Sequence, residues 1–195
     1  MAPISMPTNP GRCAEIALAV ALAVVLGLFR IPLPHLLYGG SISLDAVPIM
    51  LVALHRGSAT GTLAGITYGM VNFMIRPIIV HPVQLVLDYP VAYGLLGGGC
   101  GLLHVRSIRW KTLAPWRRQL ILITGLLVGN GLRLTSHWVS GVVFFADYAP
   151  PGQPVWLYSL LYNASYIIPQ IVIHIILSQF MIRILIVRHG NQGEG

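Results

Sequence analysis

Apolar residues along the chain gather into six runs separated by polar or proline-bearing breaks, and each run reads as a helix. The first, 13–29, is a continuous Ala/Val/Leu stretch. It is stopped by Arg30 and by Pro32 and Pro34, which withhold helical hydrogen bonds and helical geometry from their neighbours. A short run at 45–54 carries Pro48, turns at His55-Arg56-Gly57 and continues into 58–75, so the two form a tight helical hairpin that Arg76-Pro77 closes. The fourth run, 83–103, is interrupted only at Asp88-Tyr89-Pro90. A basic stretch from 104 to 118 breaks the pattern before the fifth run at 119–145. A proline-rich loop at 146–154 then leads to a long sixth run at 156–187 with Pro169 inside it. A bilayer core about 30 Å thick takes roughly 20 residues of helix, so this length admits six spans at most.

Composition decides that these are spans rather than the core helices of a soluble domain. The chain is 55% hydrophobic and 9% charged, with a mean hydropathy of +0.76, where soluble domains carry about a quarter charged residues. Twelve Lys and Arg with five Asp and Glu cannot furnish a soluble surface, and disordered chains have the opposite bias. The expected fold class is an all-α membrane protein of six transmembrane helices. It forms one integral membrane domain over 1–195, with a flexible N-terminal segment at 1–11 and a C-terminal tail at 188–195. The first run follows a single Arg and is not followed by an A-x-A cleavage site, so it stays as a span rather than a cleaved signal. Cys13 and Cys100 have no CxxC spacing and no Cys/His cluster, so they read as inert apolar residues, and no metal or cofactor is expected.

The net charge of +7 is a topology signal. With both termini cytoplasmic, Arg12, Arg56, Arg106, Arg109, Lys111, Arg117, Arg118, Arg183 and Arg188 fall inside, against only Arg30 and Arg76 outside. That sorting places a multi-pass protein in the cell membrane, its partner the lipid bilayer and not nucleic acid. Arg133 is left within the fifth span, where it pairs with an acid or holds a helix carbonyl.

Gly57, Gly61, Gly65 and Gly69 recur every four residues and form one stripe for close helix approach, a packing feature. Ala17 and Ala21 make a smaller version, which either packs within the bundle or docks a second membrane protein. Asp88 is the acid within the fourth span, a turn or two below the outer surface. Around it fall Tyr89, Tyr93, Tyr68, His137, Trp138, Trp156, Tyr158, Tyr162 and Asn163. Individually Trp138 and Trp156 also suit an interfacial aromatic belt. An acid, an imidazole and an amide among aromatic faces suit a small, flat, cationic ligand: rings stack on it, π faces attract its charge and the acid neutralises it. Asp45 reads as a helix cap outside this site. Enzyme readings fail, since the chain has no GxxxxGK[ST] loop, no HExxH and no Gly-x-Ser-x-Gly elbow.

Several stretches in this order resemble the thiamine-specific S component of energy-coupling factor (ECF) vitamin transporters, over nearly the whole chain. They are Glu15-Ile-Ala-Leu-Ala-Val-Ala-Leu-Ala23, Asp45-Ala-Val-Pro-Ile-Met, His55-Arg-Gly and Gly65-Ile-Thr-Tyr-Gly69, then Leu87-Asp-Tyr-Pro-Val-Ala92. His137-Trp-Val-Ser-Gly-Val-Val-Phe-Phe-Ala-Asp-Tyr-Ala149 and Tyr158-Ser-Leu-Leu-Tyr-Asn163 complete the set. The resemblance implies a six-helix, non-enzymatic protein that captures thiamine from outside, driven by a separate module of one ECF membrane subunit and two ATPase subunits. It puts Asp88, Tyr89, His137, Tyr158 and Asn163 on ligand positions and Ala17 and Ala21 on a docking face for that module. The chain departs from the family where Asp88 replaces a longer Glu, and where Phe145, Tyr68 and the 38–41 region replace tryptophans. Phe145 and Tyr68 keep an aromatic ring, and Trp138 or Trp156 is the source from which a third would come. The shorter acid leaves room for a bridging water or for a related pyrimidine such as a thiamine precursor. A self-sufficient secondary carrier is the competing class, against which no repeated halves are visible.

Overall fold

The computed structural model describes residues 10–34, 36, 39–104 and 113–190, with side chains described to 178 and at 180. It is built of helices: α1 (Pro10–Leu28), α2 (Ala46–Arg56), α3 (Ser58–Ile75), α4 (Pro82–Val86), α5 (Ala92–Gly101), α6 (Pro115–Phe144) and α7 (Val155–Gly190). A π-helical turn, Leu87–Val91, joins α4 to α5, so the two make one rod and the bundle has six. Pro90 explains the turn. It has no N–H for the usual helical bond, and one wider turn absorbs the missing donor without ending the helix.

Among the described residues two helices, Pro10–Leu28 and Val155–Ser178, are long and apolar enough to cross a membrane, and Ala46–Arg56 is a shorter apolar helix. The other rods are weaker by this measure for visible reasons. Gly and Thr dilute α3, the π turn divides the fourth rod, and Arg117, Arg118, Asn130 and Arg133 lie in α6.

Glycine sets the packing. Gly57, with φ at +94°, takes the left-handed conformation that a one-residue hinge between α2 and α3 requires. Beyond it the glycine stripe of α3 lies directly on α5, the most extensively packed pair in the bundle. A Cβ on Gly61 would run into the Gly97 carbonyl, and one on Gly65 into the Tyr93 carbonyl. At the far end of the bundle Glu15 of α1 receives two hydrogen bonds from the Arg56 guanidinium, tying α1 to the α2–α3 hinge.

Three details differ from the sequence expectation. Helix α6 begins at Pro115, not near 119, because proline suits a first helical position and the end of a helix needs no apolar residue. Asp45 makes no capping bond to α2; its carboxylate is buried and turned inward. The α1–α2 connection contains a two-residue antiparallel pair, Ile31–Pro32 with Ser41–Ile42, where prolines signal only a helix stop. Helix α7 is regular from Val155, close to its expected start, with Leu157 and Tyr158 donating to the Pro154 carbonyl. Residues 1–9, Tyr38, Arg106, Arg109 and Lys111, the tail from 191, and the side chains of Arg183 and Arg188 lie outside the described residues.

Candidate functional site

A cavity of about 360 Å³ opens at one end of the bundle. Its lining comes from the last turn of α1, the connection to α2, the last turn of α3, the start of the fourth rod, the last turns of α6 and the first turns of α7. Successive rods therefore alternate in direction, and the lining falls in three stretches of chain, 27–45, 72–93 and 133–166, each spanning a junction between rods.

Asp88 sits in the π turn. One carboxylate oxygen accepts from Gln84 Nε2 at 2.7 Å, and the other lies 3.0 Å from His137 Nδ1. A proton on Nδ1 makes the imidazole the donor to Asp88 and leaves Nε2 as an acceptor. Nε2 is buried and has no hydrogen-bond partner among the described residues. Asp88 and His137 both line the cavity, so a carboxylate and an imidazole from different rods border one space.

Aromatic residues surround the pair. Phe145 ends α6 with its ring 6.0 Å from that of Tyr148, while Tyr158 and Tyr162, one turn apart on α7, have centroids 5.9 Å apart. Asn163 also lines the cavity, on the neighbouring stripe of α7 with Tyr166. Its Nδ2 donates to the Ser159 and His137 carbonyls, and its Oδ1 accepts from the Tyr166 hydroxyl at 2.8 Å, so Asn163 also joins α6 to α7. Tyr158 and Asn163, five residues apart and so about 140° apart around an ideal helix, both line the cavity, which touches two stripes of α7. Tyr89 lines the cavity while its hydroxyl donates to the Arg76 carbonyl and accepts from the Ile78 N–H, both at 2.9 Å, which fixes the α3–α4 turn.

Of the seven residues that the sequence points to as ligand-binding, Tyr68 is the one the structure places outside the cavity lining. Its ring is 1% exposed, set edge-on against Tyr93, and its hydroxyl donates to Asp45 at 2.7 Å. Trp138 and Trp156 do not supply a missing ring either. Trp156 is 53% exposed, and its carbonyl accepts from the Trp138 indole.

What the sequence reading misses is the cavity floor. Asp45 lines it and collects hydrogen bonds from Ser43 at 2.5 Å, Tyr68, and Tyr93 at 2.9 Å. Arg133, 4% exposed, donates to Gln170 at 3.1 Å and to the Tyr93 hydroxyl at 3.4 Å, and its guanidinium lies 4.7 Å over the Tyr93 ring. Tyr93 thus bridges the buried cation and the buried acid. Gln170 also donates to the Ser41 carbonyl at 2.5 Å, and His174 lies 3.4 Å from both the Ser43 carbonyl and the Asn130 side chain. The signal for this seam is present in the sequence: Tyr166, Gln170, His174 and Ser178 recur every four residues, and all are buried.

Comparison with known proteins fits this geometry. The family described as Thiamine transporter protein (Thia_YuaJ) matches residues 13–188. The Bacillus subtilis (strain 168) thiamine transporter ThiT is 37% identical over 166 residues, covering 83% of this chain and 85% of that protein. The ThiT of Lacticaseibacillus paracasei is 29% identical over 159 residues, covering 77% and 76%. Among solved structures, ThiT from Listeria monocytogenes superposes with a TM-score of 0.73 at 23% identity, over 88% of this chain and 93% of that one. A biotin S component of an ECF-type ABC transporter superposes at 0.61 with 18% identity over 94% of each. These curated relatives are named as transporters, not enzymes.

Proposed function

Because the chain belongs to the Thiamine transporter protein family, we propose that it is the thiamine-binding S component of an ECF-type transporter, taking the vitamin from outside the cell. The observation that carries this reading is the Asp88–His137 pair facing the aromatic-walled cavity. Thiamine joins a cationic thiazolium to an aminopyrimidine. Asp88 supplies the opposing charge, the open His137 nitrogen accepts from a ligand N–H, and Tyr158 and Phe145 offer faces for the flat rings. Tyr89 and Asn163 hold the surrounding turns and helices in register, with the second lone pair of Asn163 Oδ1 directed to the ligand.

The same reading makes the six rods six membrane spans of a single domain in the cell membrane, with the cavity end outside and both termini cytoplasmic. The distribution of Lys and Arg along the sequence supports that orientation. Energy comes from partners, one membrane subunit and two ATPase subunits, since the chain has no phosphate-binding loop of its own.

The test is a thermal-shift titration of the purified, detergent-solubilised protein against thiamine, its pyrimidine precursor and biotin. A ligand that binds only the folded state stabilises by RT ln(1 + [L]/Kd), about 2.7 kcal/mol at a hundredfold excess over Kd. Thiamine is expected to raise the melting temperature at micromolar concentration. A shift with the pyrimidine alone would move the assignment to a precursor, for which the shorter acid and the absent third tryptophan leave room.

A further inference from the structure

Tyr68, Asn72 and Arg76 recur every four residues and so share one face of α3. The two outer members of this stripe are tied to groups already described. The Tyr68 hydroxyl donates to Asp45 at the floor at 2.7 Å, and the Arg76 carbonyl accepts from the Tyr89 hydroxyl at 2.9 Å where α3 ends. Asn72 stands between those two levels and lines the cavity. Its backbone is held firmly, because α3 lies so close to the π turn that a Cβ on Gly69 would run into the Tyr89 carbonyl. The Asn72 side chain is half-buried and makes no hydrogen bond among the described residues. Unlike His137 Nε2, its amide atoms are not sealed off by their neighbours.

A ligand that fills the cavity takes solvent away from this amide, and only a polar ligand atom at that point offsets the loss. The chemistry of the amide narrows what that atom is. An ionised carboxylate such as Asp88 only accepts and a guanidinium only donates, whereas a primary amide does both. An alcohol also does both, so it finds a partner in either orientation of the amide, accepting from Nδ2 or donating to Oδ1. In the proposed thiamine site the charge and the two rings are met by Asp88, His137 and the aromatic faces, and the hydroxyl of the hydroxyethyl arm is the polar group left over. We infer that Asn72 is a specificity-determining residue that binds the ligand's alcohol from the α3 wall. The inference rests on the thiamine reading and adds to it a contact on a helix from which the binding residues named so far do not come.

The experiment compares thiamine with its deoxy analogue, in which an ethyl group replaces the hydroxyethyl arm, by titration calorimetry on the full chain in detergent. The proteins are the parent, Asn72→Leu, Asn72→Ala and Tyr158→Phe. The parent is expected to hold thiamine roughly fivefold or more tighter than the analogue, the scale of one hydrogen bond between neutral groups. Asn72→Leu is expected to bring that ratio to within about twofold of one while its affinity for the analogue stays near the parent's. A merely structural role for Asn72 would weaken both compounds alike and leave the ratio unchanged, so the ratio is the readout. Asn72→Ala carries the same expectation and decides the matter if the leucine variant does not fold. A folded variant that keeps the parent's ratio overturns the assignment and leaves the thiamine reading standing, as does a parent that binds the two compounds equally. Loss of the ratio in Tyr158→Phe but not in the Asn72 variants assigns the alcohol to α7 and also overturns it. Failure of the folded parent to bind either compound removes both readings.

Discussion

A half-buried carboxylate among aromatic rings is costly, and Asp88 offsets that cost with one hydrogen bond from Gln84 and one from His137 while keeping lone pairs for a ligand. Replacement by Asn keeps the shape and removes the charge, so Asp88→Asn is expected to weaken thiamine binding by about 1.5–3 kcal/mol, or more than tenfold in Kd by calorimetry. An affinity within twofold of the parent would take Asp88 out of the site. The floor makes a separate prediction about stability. Tyr93→Phe keeps the ring under Arg133 but removes the hydroxyl that links Arg133 to Asp45, leaving two buried charged groups each one partner short. A loss of about 1–3 kcal/mol is expected, read as a lower melting temperature without ligand; an unchanged melting temperature would show that the bridge contributes nothing. Asp88, His137 and Asn163 are legible in the sequence as polar residues inside apolar runs. Asp45 is not, because an Asp just before a helix has a common local use as a cap, and only the tertiary fold shows Ser43, Tyr68 and Tyr93 turned toward it. Tyr68 errs the other way. An aromatic ring at the right level of a span can stand behind the cavity wall as easily as in it, and spacing along one helix does not distinguish the two.

Helix positions follow from runs and breaks, and the 58–75 run coincides with α3. The glycine stripe of α3 is equally legible, but its partner surface is not. Helix α5 uses glycine on two faces, Gly97 and Gly101 against α3 and Gly99 against Gly129 of α6, and a Gly97-Gly98-Gly99 run carries no periodicity that separates them. Backbone-to-backbone contact leaves no soft side chain to move aside. Gly65→Ala would drive its Cβ into the Tyr93 carbonyl at the edge of the floor. Overpacking of this kind costs about 1–3 kcal/mol or more, so a markedly lower melting temperature or no folded protein is expected. Gly131→Ala on α6 is the control, since a Cβ there meets nothing within 4 Å. It is expected to be neutral or to stabilise by about 0.5–1 kcal/mol through the lost flexibility of the unfolded chain. Equal melting temperatures for the two variants would mean that α3 and α5 are not in the close register described.

At the scale of the whole molecule the two ends of the bundle are set up for different work. The cavity end gathers acids, rings and arginines, whereas α1 between Glu15 and the cavity turns one face to the bundle through Ile16, Ala19, Val20 and Ala23 and the opposite face outward. Ala17 and Ala21 lie on that outward face, exposed beside Leu18 at 71% and Leu22 at 42%. Packing within the bundle, one of the two roles the sequence leaves open for these alanines, is thereby removed. Lipid is a sufficient neighbour for an apolar face, so exposure alone does not make a docking surface. Small residues four apart do, however, permit a second helix to approach closely, and a bulky substitute holds such a helix off. For the proposed S component the consequence separates binding from transport. Ala17 and Ala21 do not line the cavity and lie on the outward face of α1, so thiamine affinity of isolated Ala17→Trp and Ala21→Trp proteins is expected within twofold of the parent. Uptake of labelled thiamine by cells that carry the energising subunits is expected to fall to background. Reduced affinity in detergent would instead show that α1 transmits strain to the cavity through its packing on α2 and α3. Full uptake by both variants would argue that transport needs no partner on this face, which is the behaviour of a self-sufficient carrier.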